Sequence, residues 1–328
     1  MKYFDLHADT ILHILQQGDA SSLYENPATH VDLKRLQEGN ALAQSFVVWL
    51  PNAKFDRLSV QQAFSPTTPA EDLAYIDLAV ARLQREIAKH SNTIAWAKSA
   101  KDIRENAAAG RISAILTLED ARAVDNSLEK IERFYDQGFQ MIGLIWNEEN
   151  CFGYPNSADA FINAQGLKPF GMEAVAYMDE LGIIIDVSHL NDGGIADVLK
   201  LAKNPVVASH SNAREMAMHS RNLADVHIRG IAETGGVVGI CIAPGFLRTN
   251  SDQSTIEDMV RHLNHIYQVG GEEVLAIGTD FDGTSGEIEL DSPAKMPRLF
   301  EALDADGWPI ARIEKLAYQN AMRIFDKD

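Results

Sequence analysis

Cysteine is scarce in this chain, with only Cys151 and Cys241 in 328 residues. The two are far apart in the sequence and do not form a zinc-ligand pair. A chain of this length buries enough apolar surface to fold without a disulfide, so both thiols are expected to be reduced. Long apolar runs are also missing. No stretch of 18 or more apolar residues occurs, so no membrane-spanning helix is expected.

Basic residues are also few, since 29 lysines and arginines stand against 47 aspartates and glutamates. The resulting formal charge of -18 argues against binding to nucleic acid or to an anionic membrane surface, because both repel an acidic protein. The first ten residues contain acidic side chains and no long apolar segment. We therefore expect no secretory signal peptide and a cytoplasmic location.

The remaining composition is that of a folded globular protein, with 46% hydrophobic and 23% charged residues. Short apolar runs rich in β-branched residues recur along the chain and predict strands buried on both faces. These runs are Lys2–His7, Ala41–Leu50, Ile112–Glu119, Gln140–Trp146, Gly182–His189, Pro205–His210, Gly236–Ile242 and Val274–Asp280.

Helical patterns lie between these runs, and several of them end at a glycine. The predicted helices are Glu71–His90, Ala100–Ala109, Ser127–Asp136, Gly171–Leu181, Asp192–Ala202, Ala224–Glu233, Thr255–Val269 and Ile310–Phe325. Repeated alternation of strand and helix predicts an α/β fold, a (β/α)8 TIM barrel formed by a single domain, residues 1–328. The alternative is an open doubly wound sheet, but no glycine-rich phosphate loop follows the first strand.

Two long insertions, Pro51–Thr68 and Asn147–Lys168, follow the second and fourth predicted strands. Barrel enzymes carry their functional loops at the C-terminal ends of the strands. We therefore expect both insertions to border an active site.

Residues able to bind a metal stand at the ends of the predicted strands. Each has an ordinary structural explanation by itself: a histidine can be a hydrogen-bonded core residue, and a buried glutamate can form an ion pair. In a closed barrel, however, these strand ends surround one mouth. The convergence predicts a metal site whose ligands are His7, Asp9, Glu119, His189 and His210, with Asp280 beside them.

Imidazole and carboxylate ligands suit zinc and, less selectively, manganese, cobalt or iron. Two metals about 3.5–4 Å apart need one bridging ligand and a few terminal ligands. The natural division puts His7 and Asp9 on one metal, His189 and His210 on the other, and Glu119 between them. Asp280 is then free to take the proton of a metal-bridging hydroxide or water during attack and to pass it to the leaving amine.

Six segments, in this order, resemble the membrane (renal) dipeptidase family of zinc metallopeptidases in the amidohydrolase superfamily. They are DLHADT, LTLEDA, IDVSH, ASHSNAR, the RN of HSRNL, and IGTDFDG. The resemblance implies a (β/α)8 barrel, a binuclear zinc site, and hydrolysis of dipeptides that tolerates a D-residue at the C-terminal position. It also implies a homodimer, although the sequence shows no interface.

Carried over by position, the resemblance gives the six strand-end residues the same roles and adds Arg221 as the group that receives the terminal carboxylate of the dipeptide. A guanidinium pairs bidentately with a carboxylate and so measures substrate length. Many family members have a histidine after the fourth strand that contacts the scissile carbonyl. Trp146 stands at that position here, followed by Asn147, and both are expected to contact the substrate.

Two other functions remain compatible with the sequence. A metal ring of this kind could serve another amidohydrolase-type enzyme that cleaves a lactone, a cyclic amide or an N-acyl amino acid. The second alternative is a non-catalytic metal-binding homologue. It is suggested by Trp146, which cannot titrate and stands where many family members have a histidine. The intact Asp280 argues against this alternative. His262 and His265 are interpreted as solvated helix positions, and Asp186 and Asp282 as supporting or loop-capping groups rather than ligands.

Overall fold

Every residue of the strand Ile112–Glu119 is buried, as its nearly continuous apolar sequence predicts. A strand with this pattern lies inside a parallel sheet whose faces are both covered. The computed structural model, which describes residues 1–51 and 66–326, places it in a nine-stranded sheet. Strand pairing in that sheet is parallel throughout.

The strands are β1 (Tyr3–Ala8), β2 (Ala41–Trp49), β3 (Ile94–Trp96), β4 (Ile112–Glu119), β5 (Met141–Gly143), β6 (Ile184–Asp186), β7 (Val207–Ala208), β8 (Val237–Ile240), β9 (Gln253–Ser254), β10 (Leu275–Ile277) and β11 (Glu287–Ile288). The α-helices are α1 (Thr10–Gln16), α2 (Leu33–Glu38), α3 (Pro69–Lys89), α4 (Ala100–Ala108), α5 (Leu128–Gln137), α6 (Ala160–Asn163), α7 (Pro169–Leu181), α8 (Asp192–Leu201), α9 (Asp225–Glu233), α10 (Pro244–Leu247), α11 (Ile256–Gly270), α12 (Met296–Ala305), α13 (Ile310–Glu314) and α14 (Asn320–Ile324). Short 3₁₀ turns span Ala121–Val124, Glu272–Val274 and Pro293–Lys295.

The sheet closes on itself. Its order is β2-β1-β10-β8-β7-β6-β5-β4-β3, and an additional pairing between β2 and β4 joins its two sides. Strand β3 pairs with β4 but stays outside the ring, so eight strands form a closed parallel barrel in the described part of the chain. The (β/α)8 prediction is confirmed, and each of the eight predicted runs contains one barrel strand. The three-residue β3, which lies outside the ring, was not predicted.

The helix predictions are confirmed to within two residues at most boundaries. Helix α3 begins at Pro69 behind a reciprocal capping box between Thr68 and Glu71. Gly138 and Gly182, predicted as helix stops, end α5 and α7 with φ of 98° and 74°, left-handed values that favour glycine. The predicted helix Ile310–Phe325 is confirmed, with a π-helical segment, Lys315–Gln319, between α13 and α14.

A cluster of buried apolar side chains fills the N-terminal end of the barrel. Each of the eight barrel strands contributes to it, and Ile324 and Phe325 pack on it from the end of the chain. Phe325 lies 5.2 Å from Phe4, measured between ring centroids. With one end of the barrel filled by apolar side chains, the polar strand-end residues are left to the opposite, C-terminal end, where barrel enzymes hold their active sites.

Two insertions were predicted, after the second and fourth predicted strands. Residues 52–65 of the first insertion, Pro51–Thr68, lie outside the described residues. The insertion Asn147–Lys168 contains α6, and its backbone pairs with the segment that follows β6 through Pro155 and Leu190. No helix in residues 1–51 and 66–326 is both long and apolar enough to cross a bilayer.

His262 corrects one prediction, because it is fully buried on α11 rather than solvated. Its Nδ1 accepts a hydrogen bond from the backbone N–H of Ala213 at 3.1 Å, and its Nε2 lies 3.0 Å from the carbonyl oxygen of Leu247. These two partners require the neutral ring, with the hydrogen on Nε2. Burial, the largest influence, lowers the pKa of His262 to about 4.

Protonation of His262 should therefore destabilise the fold in acid. Its pKa is about 6.5 in the unfolded chain and about 4 in the folded one, so this contribution is complete above pH 6.5 and is lost as the pH falls towards 4. The shift corresponds to roughly 3 kcal/mol. The test measures the free energy of unfolding of the metal-free protein and of His262→Gln in urea at pH 7 and at pH 4. Between these two pH values, the free energy of unfolding of the wild type should fall by about 3 kcal/mol more than that of the variant. Parallel pH curves for the two proteins would contradict this assignment.

Candidate metal centre

The six strand-end residues meet at the C-terminal mouth of the barrel. His7 lies in β1, Asp9 is the first residue after β1, and Glu119 is the last residue of β4. The other three stand just beyond β6, β7 and β10 and are His189, His210 and Asp280. All six side chains are at least nine-tenths buried. The structure thus brings together residues that are up to 273 positions apart in the sequence.

Two of these residues have an unusual backbone. His189 has φ of 69° and Asp280 has φ of 64°, the left-handed region that residues other than glycine rarely adopt. Such a conformation costs of the order of 1–3 kcal/mol and persists only where the surroundings enforce it. Both residues follow a barrel strand, and the sharp turn keeps their side chains at the mouth. Two of the six site residues are therefore held in a strained backbone conformation.

One group of donor atoms surrounds Oε1 of Glu119. This oxygen lies 3.0 Å from Nε2 of His189 and 3.4 Å from Nε2 of His210. The two Nε2 atoms are themselves 3.1 Å apart. Nδ1 of His189 lies 3.0 Å from the amide oxygen of Asn147, which can only accept a hydrogen, so the Nε2 lone pair of His189 is free to point into the group.

A second group lies on the other side of Glu119. Nε2 of His7 lies 3.5 Å from Oε2 of Glu119 and 3.5 Å from Oδ2 of Asp9. Asp280 offers a carboxylate oxygen within 4.8 Å of a ligand atom of His7 and of Asp9. Nε2 of His7, Oδ1 of Asp9 and Oε1 of Glu119 are buried without a hydrogen-bond partner. Such orphaned buried acceptors normally have a partner.

These spacings fit divalent cations. Donor atoms bound to one tetrahedral zinc ion at about 2.0–2.2 Å lie roughly 3.3–3.5 Å from one another. The distances from Nε2 of His7 match that spacing at 3.5 Å, and the group around Oε1 of Glu119 is somewhat tighter at 3.0–3.4 Å. Each group uses a different oxygen of Glu119. The imidazole and carboxylate donors are those that zinc, manganese, cobalt or iron accept. The residues present can therefore hold two cations that share Glu119.

Burial and neighbouring charges shift the pKa values of the side chains at this site in both directions. Burial raises the pKa of Asp280 well above its usual range, and the Asp9 charge adds to the effect. Burial alone would raise the pKa of Glu119 as well, but the facing imidazoles hold it well below its usual range. Burial, then the charge of Arg221, lowers the pKa of His189 to about 4. At neutral pH the neutral imidazole of His189 thus faces the ionised carboxylate of Glu119, and these are the forms that bind metal. Burial alone would lower the pKa of His7, but the charges of Glu119 and Asp9 outweigh burial and raise this pKa well above its usual range, so a cation bound at that ring would displace a proton.

Arg221 is buried beside these donors, 4% exposed. Its Nη1 donates to Oγ of Ser211 at 2.7 Å, and its Nη2 donates to the carbonyl oxygen of His210 at 2.9 Å. Its Cζ lies 5.7 Å from the centre of the Phe246 ring. No ion pair among the described residues includes Arg221, and its Nε has no hydrogen-bond partner. A buried guanidinium in this state can receive an anion.

A cavity of about 180 Å³ opens at the mouth, beside Asp9, Glu119, His189 and Asp280. One wall is apolar: Leu12 and Trp49 form a small cluster against which Trp146 packs. The two indoles meet edge to face, with ring centroids 5.0 Å apart. The cavity is lined by Asp9, Leu12, Trp49, Glu119, Trp146, Asn147, His189, Ala243, Phe246, Asp280, Gly283 and Thr284.

The sequence model of the membrane dipeptidase family, peptidase family M19, matches residues 1–328. The chain belongs to the membrane dipeptidase family. It is accordingly an enzyme, a metal-dependent hydrolase of a metallopeptidase family.

Individual relatives agree with this membership. An uncharacterized dipeptidase of Schizosaccharomyces pombe is 31% identical over 314 residues, which cover 93% of this chain and 74% of that protein. A metallopeptidase from Rhodobacter sphaeroides, solved with a phosphinate mimic of the dipeptide L-Ala-D-Ala, is 26% identical with a TM-score of 0.90, over 99% of this chain and 98% of that one. An amidohydrolase from Pseudomonas aeruginosa shares the fold, with a TM-score of 0.76 at 22% identity over 89% and 90% of the two chains.

Trp146 and Asn147, the predicted substrate contacts, both line the cavity of this membrane dipeptidase family member. Asn147 also holds His189, so its side chain faces a metal-capable residue as well as the cavity. The Trp146 ring lies 6.1 Å from that of His189, measured between centroids. Its indole thus packs between the apolar wall and the donor atoms.

Two buried carboxylates support the site from behind. Asp186, interpreted from the sequence as a supporting group, accepts hydrogen bonds from the backbone N–H groups of Ser188 and Ser209 at 2.9 Å. Asp5 was missed: it accepts from the backbone N–H groups of His7 and Thr279 and so ties β1 to the segment after β10. The only signal in the sequence was an acidic residue inside an apolar strand.

Asp282 and His265 were also interpreted from the sequence. Asp282 accepts from the Thr10 hydroxyl at 2.7 Å and from the backbone N–H of His30, as expected of a loop-capping group. His265 is half-buried and lies 2.7 Å from a carboxylate oxygen of Asp225. Neither residue reaches the donor groups, so neither prediction alters the ligand set.

Proposed function

We propose that this protein is a zinc-dependent dipeptidase that holds two divalent ions and hydrolyses dipeptides of the form L-Xaa-L-Xaa and L-Xaa-D-Xaa. His7 and Asp9 would hold one ion, His189 and His210 the other, with Glu119 bridging. The division is supported by the two oxygens of Glu119, which face different donor groups. Bound ions would polarise the scissile carbonyl and lower the pKa of a water to about 7.

The observation that carries the step from hydrolase to dipeptidase is Arg221. It is a buried cation without an anionic partner among the described residues, and it is hydrogen-bonded to the carbonyl of His210. A dipeptide places its terminal carboxylate one residue beyond the scissile bond, at a fixed distance from the ions. A guanidinium at that position selects for a free carboxylate and against a longer chain.

Asp280 is the proposed acid–base group. Its carboxylate borders the cavity and lies close to the donors His7 and Asp9. Burial raises its pKa, so it holds a proton more readily than an ordinary aspartate. It would take the proton from the attacking water and transfer it to the amine that leaves when the peptide bond breaks.

The apolar wall of Leu12, Trp49 and Trp146 is the proposed contact surface for the substrate's side chains. Trp146 carries no titratable charge, so stabilisation of the developing oxyanion falls mainly to the bound ions. A cavity of about 180 Å³ suits a small dipeptide. The L-Ala-D-Ala mimic bound by the Rhodobacter sphaeroides relative supports testing this substrate class first.

Replacing Arg221 tests the dipeptidase proposal. For Arg221→Ala we expect kcat/KM on L-Ala-L-Ala and L-Ala-D-Ala to fall by about 30-fold to 5,000-fold, because losing one partner of a buried charge pair costs about 2–5 kcal/mol. We also expect the variant to lose the wild-type preference for a dipeptide over the same dipeptide amidated at its C-terminus. Arg298→Ala removes a half-exposed arginine paired with Glu289 and serves as the matched control.

If zinc-loaded protein cleaves no dipeptide in a panel of L-L and L-D pairs, the dipeptidase proposal fails. If instead it cleaves a lactone, a cyclic amide or an N-acyl amino acid and Arg221→Ala cleaves that substrate normally, the enzyme belongs to another hydrolase class.

Replacing Asp280 tests the acid–base role. Asp280→Asn keeps the shape of the side chain but removes its ability to take a proton. We expect kcat to fall by about 100-fold to 10,000-fold, the usual contribution of a general acid–base group. Zinc content, measured by mass spectrometry of the metal, should stay at the wild-type value. An Asp280→Asn enzyme that keeps its zinc and more than a tenth of wild-type kcat would contradict the assignment.

A further inference from the structure

The hydroxyl of Ser209 occupies the centre of a buried polar group behind the metal centre. Its Oγ lies 2.5 Å from Oδ2 of Asp186, 2.8 Å from Nδ1 of His210 and 3.1 Å from Nδ1 of His7. Oγ of Ser188 is a more distant neighbour at 3.4 Å. Ser209 is fully buried and directly precedes His210 after β7.

The hydrogen positions in this group follow from what each atom can do. An ionised carboxylate only accepts, and a hydroxyl offers one hydrogen and two lone pairs. Oδ1 of Asp186 is occupied by the backbone N–H groups of Ser188 and Ser209, which leaves Oδ2 for the hydroxyl. The hydroxyl therefore donates to Asp186. Its two lone pairs remain for the imidazoles, so His7 and His210 must each carry a hydrogen on Nδ1.

This arrangement leaves a lone pair on Nε2 of both rings. Nε2 of His7 faces Asp9 and Oε2 of Glu119, whereas Nε2 of His210 faces Oε1 of Glu119. The two rings thus belong to different donor groups, although their Nδ1 atoms share one hydroxyl. The third imidazole, His189, does not contact Ser209, since its Nδ1 is held by Asn147.

We propose that Ser209, backed by Asp186, is a positioning residue that sets the ring tautomer and orientation of one imidazole ligand for each of the two cations. Partners of this kind typically change metal affinity by about 10-fold to 100-fold. The inference rests on the proposed two-cation site but not on the identity of the substrate. Because one hydroxyl serves both rings, its loss should affect both cations together.

Three variants separate this role from a general packing role. Ser209→Ala removes the acceptor for both rings. Asp186→Asn keeps the shape but reverses a hydrogen bond: the asparagine oxygen stays on the two backbone N–H groups, and its NH2 then donates to Ser209. The single hydroxyl hydrogen must then go to one imidazole, which moves that ring's hydrogen to Nε2. Asn147→Leu releases only His189.

The matched control is Ser45→Ala. Ser45 is a fully buried serine of β2, and its Oγ has no hydrogen-bond partner in the described residues. This substitution makes the same chemical change inside the barrel without touching a ligand.

The experiment is a calorimetric titration of each metal-free protein with zinc. We expect Ser209→Ala to weaken both zinc sites by about 10-fold to 100-fold. Asp186→Asn and Asn147→Leu should each weaken one site, and Ser45→Ala should weaken neither. These readings do not require a cleaved dipeptide, so a failed dipeptidase proposal and a failed role for Ser209 would be told apart.

Nitrogen-15 NMR of histidine-labelled protein loaded with cadmium-113 provides the second readout. In the wild type, cadmium should couple to Nε2 of His7 and His210 while Nδ1 of both rings carries hydrogen. In Asp186→Asn, one ring should lose its coupling. Wild-type zinc affinity at either site of Ser209→Ala overturns the proposal, as does an unchanged cadmium coupling pattern in Asp186→Asn. If Ser209→Ala does not fold, the Asp186→Asn spectrum decides.

Discussion

The carboxylate of Glu119 is the interaction on which the rest of the site depends. One of its oxygens faces His189 and His210, and the other faces His7. An ionised carboxylate at this depth loses several kcal/mol of hydration, which only nearby positive charge and hydrogen bonds restore. Two cations sharing Glu119 would supply that charge. The surrounding donors, the left-handed turn at His189 and the supporting aspartates are all arranged around this one side chain.

Water activation and substrate selection are separate tasks in this architecture. The donor groups around Glu119 suit many hydrolytic reactions, because activation of water by a cation is not specific to peptides. Under the proposed function, selection would depend above all on Arg221 and on the wall that includes Trp49 and Trp146. Membership of the membrane dipeptidase family and a buried guanidinium without an anionic partner among the described residues both support the proposed substrate class.

Much of the fold was predictable because barrel strands buried on both faces leave a clear apolar signal. Once the strands are in place, the topology brings the strand-end residues together, which is why His7 and His210 could be predicted to meet. Ser209 and Asp5 were not predictable, because their roles depend on which way a side chain points. His262 was assigned to solvent for the same reason: its helix shows a polar residue, but the loop carbonyl and N–H that satisfy it come from distant segments.

The most direct measurement of the central claim is a crystal structure of the zinc-loaded protein with anomalous diffraction recorded on both sides of the zinc absorption edge. The account predicts two anomalous peaks about 3.5–4 Å apart, one on each oxygen of Glu119. His7 and Asp9 should coordinate one peak, and His189 and His210 the other. A single peak, or peaks that do not share Glu119, would contradict it.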